Sequence, residues 1–215
     1  RGAVHDLRLR LRQRRGGGGG LQGRAQPIRL LAVRQPDYPD VRDPDGPSGR
    51  RVLLQGDRDR HGGGVLLPGL PACSGDRIVA SRALFGSCHY VVSEILPGFG
   101  ITTELVDGRY LDAWRQALAR PAACVFLETP SNPMQSLVDI AAVCDMAHAA
   151  GAKVVLDNVF ATPILQQGFP MGVDVVVYSG TKHIDGQGRV LGGAILGDKQ
   201  YIDEPVQKLM RHTGP

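Results

Sequence analysis

From about Ala72 onward, short apolar runs of strand type alternate with stretches of helical spacing. β-Branched clusters predict strands over Arg77–Ala80, Thr102–Val106, Ala123–Leu127, Lys153–Asp157 and Val173–Tyr178, with a further strand over Val190–Leu196. Between them, apolar positions three and four apart predict helices over Leu84–Leu96, Leu111–Leu118 and Val138–Ala149. Asp107-Gly108 supplies turn chemistry before the second helix, and Gly151 a stop signal after the third. Strand and helix in alternation specify an α/β fold with a mainly parallel sheet. Such sheets bind ligands at the carboxyl ends of their strands, so polar residues that terminate apolar strands carry the most information.

Residues 1–71 have a different character. Five glycines run from Gly16 to Gly20, Gly62 to Gly64 follow, and Arg mixes with Asp and Gly, as in Gly56-Asp57-Arg58-Asp59-Arg60. No period of 2 or 3.6 persists, which is the composition of a disordered, Gly/Arg-rich segment. The chain therefore divides into 1–71 and a folded part over 72–215. The charge divides the same way. Residues 1–71 carry +7 and residues 72–215 carry −3, which together make the formal +4. A nucleic-acid surface would have to lie in the first third, which lacks the interleaved aromatics and the basic helical face that such binding uses. No nucleic-acid partner is expected.

No apolar run approaches the ~20 residues of a membrane helix, and no signal-peptide layout opens the chain. Cys73, Cys88, Cys124 and Cys144 form neither a C-x-x-C pair nor a zinc spacing. Reduced, mostly buried thiols in a cytoplasmic protein, with no metal site and no membrane partner, are the expectation. Gly186-x-Gly188 is not a dinucleotide fingerprint, and Gly16–Gly20 lacks the Lys-Ser/Thr of a phosphate-binding loop.

Two strand ends carry candidate chemistry. Lys153-Val154-Val155-Leu156 ends on Asp157, and Val175-Val176-Val177-Tyr178 ends in Ser179-Gly180-Thr181-Lys182. Parallel neighbours would set a carboxylate beside two hydroxyls and a lysine. Pyridoxal phosphate (PLP) uses that set: an anion for the protonated ring nitrogen, hydroxyls for the phosphate, and an amine for the aldehyde. The bland alternatives stay open at this point. A carboxylate after a strand is often a turn or helix cap, Ser-Gly-Thr is common in loops, and a lone lysine is usually solvated surface.

The motifs add a resemblance. Glu128-Thr129-Pro130-Ser131-Asn132-Pro133, Asp157-Asn158-Val159-Phe160-Ala161-Thr162-Pro163 and Tyr178-Ser179-Gly180-Thr181-Lys182, in that order, resemble the Cys/Met-metabolism family of PLP enzymes, of the cystathionine γ-synthase type. The run from His183 to Gly193 is most similar to the O-succinylhomoserine sulfhydrylase branch, and the likeness covers residues 72–215. It implies the large domain of the type I, aspartate aminotransferase-like fold, truncated, in a homotetramer of catalytic dimers. It also implies a γ-replacement in methionine and cysteine biosynthesis: O-succinylhomoserine and sulfide give homocysteine and succinate. Cystathionine γ-synthase or γ-lyase activity is the alternative, and an inactive truncated product without PLP is the alternative of another class.

Residue by residue, the resemblance makes Lys182 the catalytic lysine that joins the cofactor covalently and shuttles protons. Asp157 becomes the ring-nitrogen partner, and Ser179 and Thr181 the phosphate contacts. Asn132 lies near the ring hydroxyl, and Phe85 is the stacking aromatic where the family usually has Tyr. Glu128 matches a position near the site without an evident role. Gly180 replaces the commoner Ala. Two family motifs expected before Ala72, Tyr-x-Arg and a Gly-Met turn, do not appear. Back-translated and shifted by one base, Gln35–Asp45 and Gly56–Gly64 can read as family-like text. An out-of-frame segment upstream of about Ala72 is therefore expected, with a natural Gly/Arg arm as the alternative. On this reading the 215-residue chain itself is inactive, because the carboxylate-binding arginine of a C-terminal domain is absent.

Overall fold

The computed structural model describes residues 50–55, 70–189 and 192–213. The expected out-of-frame motifs at 35–45 and 56–64 lie outside the described residues.

The strands are β1 (Arg50–Gln55), β2 (Arg77–Ser81), β3 (Thr102–Val106), β4 (Cys124–Glu128), β5 (Lys153–Asp157), β6 (Val175–Ser179) and β7 (Gly193–Asp198). Among the described residues they form one seven-stranded sheet in the order β1-β7-β6-β5-β4-β2-β3. Five neighbours, β3, β2, β4, β5 and β6, run parallel. β7 is antiparallel to β6, and β1 is antiparallel to β7. The mainly parallel α/β sheet expected from the sequence is the observed one.

Two apolar layers sandwich the sheet. Successive residues of a strand face opposite sides, so Val125, Leu127, Val154, Leu156 and Val176 meet Trp114 and the helix Ile140–Ala149 on one face. Phe126, Val155, Val175, Val177 and Ile195 meet Leu84, and Cys88, Val92 and Leu96 of the helical run over 86–98, on the other. β4 is buried along its whole length, and β5 and β6 nearly so, as expected of a parallel sheet covered on both faces. Asp139 caps the helix Ile140–Ala149 by accepting from Ala142 N at 3.1 Å. That helix ends at Gly151, whose φ of +78° suits glycine. Arg77 closes the lower edge of the sheet. Its guanidinium donates to Glu104 and to the carbonyls of Ala117, Arg120 and Pro121.

Observed and expected elements agree in kind and differ mostly by one to three residues at their ends, with larger differences at residues 199–213 and at β1. β6 and β7 begin two and three residues later than their apolar runs suggest. Residues 199–213 are helical, a stretch to which the sequence reading assigned no element. β1 lies inside the Gly/Arg-rich segment. Val52-Leu53-Leu54 is an apolar run of only three residues, and the strand's pairing partner is the distant β7. Three of the four cysteines, Cys88, Cys124 and Cys144, are buried, and all four are free thiols.

Candidate active site

Strand register brings the chemistry together. Glu128 at the end of β4 pairs with Asp157 at the end of β5, and Asp157 pairs with Val177 on β6. Residues aligned across parallel strands project to the same side, so Glu128 and Asp157 share the face covered by the helical run over 86–98. Ser179 lies two residues beyond Val177, on the same face and at the same end. Thr181 and Lys182 follow on the π-helical turn Gly180–Ile184, where Lys182 leaves helical geometry (φ −90°, ψ −119°).

Asp157 is buried. Its Oδ1 accepts from Val159 N at 3.0 Å. Its Oδ2 has only the Cys88 thiol, at 3.9 Å, among the described residues. Burial pushes the carboxyl up to about 6, against the opposing effects of the Val159 N–H and the Cys88 thiol. Glu128, also buried, is pushed up to about 7, first by burial and then by Asp157. Burial and these two carboxylates hold the Cys88 thiol protonated.

An ionised Asp157 thus has one oxygen without an N–H or O–H donor, at the carboxyl end of a buried strand. That oxygen suits a cationic N–H supplied by a ligand. The hydroxyls of Ser179 and Thr181 and the amine of Lys182 engage no other described residue in a hydrogen bond or ion pair. They remain available to a phosphate and a carbonyl carbon. A pyridine ring bearing a phosphate and an aldehyde fits this donor set.

The candidate residues are not all in contact. Phe85 and Asn132 are joined to the strand ends through Glu128, which accepts from Phe85 N at 2.5 Å and Asn132 N at 2.8 Å. Phe85 is half-buried, whereas the Asn132 and Lys182 side chains are exposed. Strand adjacency relates Lys182 to Asp157; no hydrogen bond or ion pair joins them. Gly180 approaches its neighbour closely. Its N–H donates to Gly192 O at 2.6 Å, and a Cβ there would lie 2.9 Å from that oxygen. The close approach explains why glycine suits the middle of Ser179-Gly180-Thr181.

Behind the site lies a polar network whose roles the sequence did not reveal. Asn158, fully buried, donates to Tyr178 Oη at 2.8 Å and Gln166 O at 2.9 Å. Gln166 Nε2 donates to Asn158 Oδ1 at 2.8 Å and Thr129 O at 2.6 Å. The network ties the loops after β4 and β5 to β6. Asn158→Ala is expected to destabilise the protein by about 2–3 kcal/mol, because it leaves buried partners without bonds. Urea unfolding checks this, and a change below about 0.5 kcal/mol would refute the network's contribution.

Residues 70–215 match the family described as "Cys/Met metabolism PLP-dependent enzyme". An O-succinylhomoserine sulfhydrylase of Mycobacterium tuberculosis is 77% identical over 142 residues, covering 66% of this chain and 35% of that protein. The crystal structure of cystathionine γ-lyase from Lactobacillus plantarum, complexed with L-serine, superposes with a TM-score of 0.69. The two are 27% identical, over 75% of this chain and 42% of that one. A Campylobacter jejuni O-acetylhomoserine (thiol)-lyase structure containing N'-pyridoxyl-lysine-5'-monophosphate superposes with a TM-score of 0.64. There the identity is 31%, over 71% of this chain and 37% of that one. The chain spans about a third of the length of the curated relatives it matches.

Proposed function

Because this chain belongs to the Cys/Met metabolism PLP-dependent enzyme family, we propose that it supplies the lysine-bearing part of a PLP site for γ-replacement on an O-acylated homoserine. The proposed reaction converts O-succinylhomoserine and sulfide to homocysteine and succinate, a transferase activity. The observation that carries the site is the buried Asp157 Oδ2, which has no N–H or O–H donor among the described residues. The sulfhydrylase that is 77% identical supports the choice of substrates.

PLP, when bound, supplies a ring that takes up the electron pair left at the substrate's Cα. Asp157 holds the proton on the ring nitrogen through charge and a hydrogen bond. Ser179 and Thr181 donate to the phosphate and fix the cofactor's register on the end of β6. Phe85 stacks on the ring and excludes water from one face, and Asn132 donates to the ring hydroxyl. Lys182 would hold the cofactor's aldehyde carbon, and its amine, when free, would move protons at the substrate's Cα and Cβ. The electron sink that PLP would supply there is the chemistry that exchange of succinate for sulfide at Cγ requires.

The same reading places the protein in the cytoplasm as a homotetramer. Met134 and Leu137 after β4, with Ile164 and Leu165 after β5, are exposed apolar side chains beside the site, which supports cover by a second subunit. No helix among the described residues is long and apolar enough to cross a membrane.

The reaction is tested in an enzyme of the relatives' full length that carries residues 70–215. Supplied with O-succinylhomoserine, it is expected to give homocysteine with sulfide at least tenfold faster than cystathionine with cysteine. Faster cystathionine formation would overturn the choice of sulfur donor. A keto acid formed without any sulfur acceptor, as the main product, would make the enzyme a lyase instead.

A further inference from the structure

Among the described residues, Glu128 is the one buried carboxylate at the strand ends to which the proposed function gives no task. Its position is unusual in what it binds. Both oxygens are committed to backbone N–H groups, and the two donors lie on different loops. Oε2 accepts from Phe85 N, on the segment that follows β2, across 43 residues of sequence. Oε1 accepts from Asn132 N, in the loop that follows β4. Phe85 and Asn132 are the two residues assigned above to the ring's face and to its hydroxyl.

We infer that Glu128 is a positioning residue: its ionised carboxylate staples the Phe85 and Asn132 segments together so that both meet the cofactor ring anchored at Asp157. The inference rests on the proposed roles of Phe85 and Asn132. A carboxylate is suited to the task because an ionised carboxyl only accepts, so it satisfies two N–H donors at once. A glutamine of the same size cannot do so. Its oxygen holds one N–H, while its amide presents hydrogens to the other N–H donor.

The arrangement carries a local cost. Glu128 is buried and shares a sheet face with its register partner Asp157, so two anions are held close together. Burial and Asp157 both favour the protonated form of Glu128. The third ionisable group packed against the pair is the Cys88 thiol, which stays neutral. Stability alone does not call for a second carboxylate here. The burden makes sense where loop placement is what the charge secures.

Glu128→Gln separates the two roles by sign. It removes a buried anion and the repulsion from Asp157, so the melting temperature at pH 8 is expected to stay level or rise. Meanwhile the PLP dissociation constant, measured by fluorescence titration of the full chain, is expected to rise about 10- to 100-fold, the loss of one charge-assisted hydrogen bond. Amide hydrogen exchange, read without cofactor, should accelerate at Phe85 or Asn132 and remain slow at Val125 and Val155 in the core strands. If Glu128→Gln does not fold, Glu128→Asp keeps the charge but shortens the reach by one methylene, and it should free one of the same two amides. Exchange at Phe85 and Asn132 unchanged from wild type would overturn the staple, whatever the cofactor does. Freed amides with unaltered PLP affinity would also overturn it, by showing that loop placement does not serve the ring. Failure of the wild-type chain to bind PLP would instead overturn the proposed function on which the inference rests.

Discussion

In an enzyme of the relatives' full length that carries residues 70–215, Lys182→Ala is expected to abolish covalent attachment of PLP and to lower turnover by a factor of at least about 10²–10⁴, the usual contribution of a positioned proton-transfer group. The lysine follows β6 on the turn Gly180–Ile184, its side chain is exposed, and its amine engages no other described residue. Its removal should therefore leave stability within about 0.5 kcal/mol of wild type. The combination matters. A chemical role predicts lost turnover and lost visible absorbance in a protein that unfolds at the same denaturant concentration. Retained turnover within tenfold of wild type would exclude Lys182 as the catalytic lysine. Absorbance and kinetics of the two proteins, measured side by side, decide it.

Asp157→Asn is expected to stabilise the cofactor-free protein while it disables the site. The Asp157 carboxyl is raised from its ordinary value of 3.8 to about 6, chiefly by burial. A raised carboxyl favours folding when protonated. That contribution is complete below about pH 4 and is lost as the pH rises through about 6. A displacement of about two pH units corresponds to roughly 3 kcal/mol. Asparagine keeps the bond from Val159 N but turns an amide toward the Cys88 sulfur, so the realised gain at pH 8 is expected to be about 1–2 kcal/mol. In a chain of this size that is a rise of about 2–8 °C in melting temperature, and it should vanish near pH 4. The same change removes the negative partner of the ring nitrogen, and a loss of about 10²–10³ in turnover is expected. Thermal melts at pH 4 and pH 8, with kinetics at pH 8 in the full-length enzyme, check both halves. An Asn variant that is less stable at pH 8, or that turns over at a near-normal rate, would contradict the assignment of Asp157 as a functional anion held at a cost to folding.

The placement of those two candidates at the ligand end of the sheet was legible in the sequence, because Asp157 ends one β-branched run and Lys182 follows shortly after another. Val154-Val155-Leu156 and Val175-Val176-Val177 have the composition of strands buried on both faces, and a polar residue after such a run has few places to go except the ligand end of the sheet. The sheet was legible for the same reason: β3 and β5 coincide with their apolar runs. Glu128 was visible in its motif but its task was not. It binds backbone N–H groups 43 and 4 residues away, and a backbone donor leaves no mark in the sequence. Asn158, Gln166 and Tyr178 are similar: three ordinary polar residues become a network only once β5 and β6 are side by side. β1 was hidden because its three apolar residues sit among charges and because its pairing is long-range. Family resemblance supplied Phe85 and Asn132, which no periodicity singles out. The structure added the carboxylate that connects them.

The most direct test of the account is chemical trapping. The chain is incubated with PLP, reduced with borohydride, digested and mapped by mass spectrometry. The expected result is one phosphopyridoxyl group, on Lys182, with adduct formation reduced in Asp157→Asn and absent from Lys182→Ala. Labelling spread over Lys153, Lys199 and Lys208 with none at Lys182, or labelling of Lys182 that is indifferent to Asp157, would contradict it.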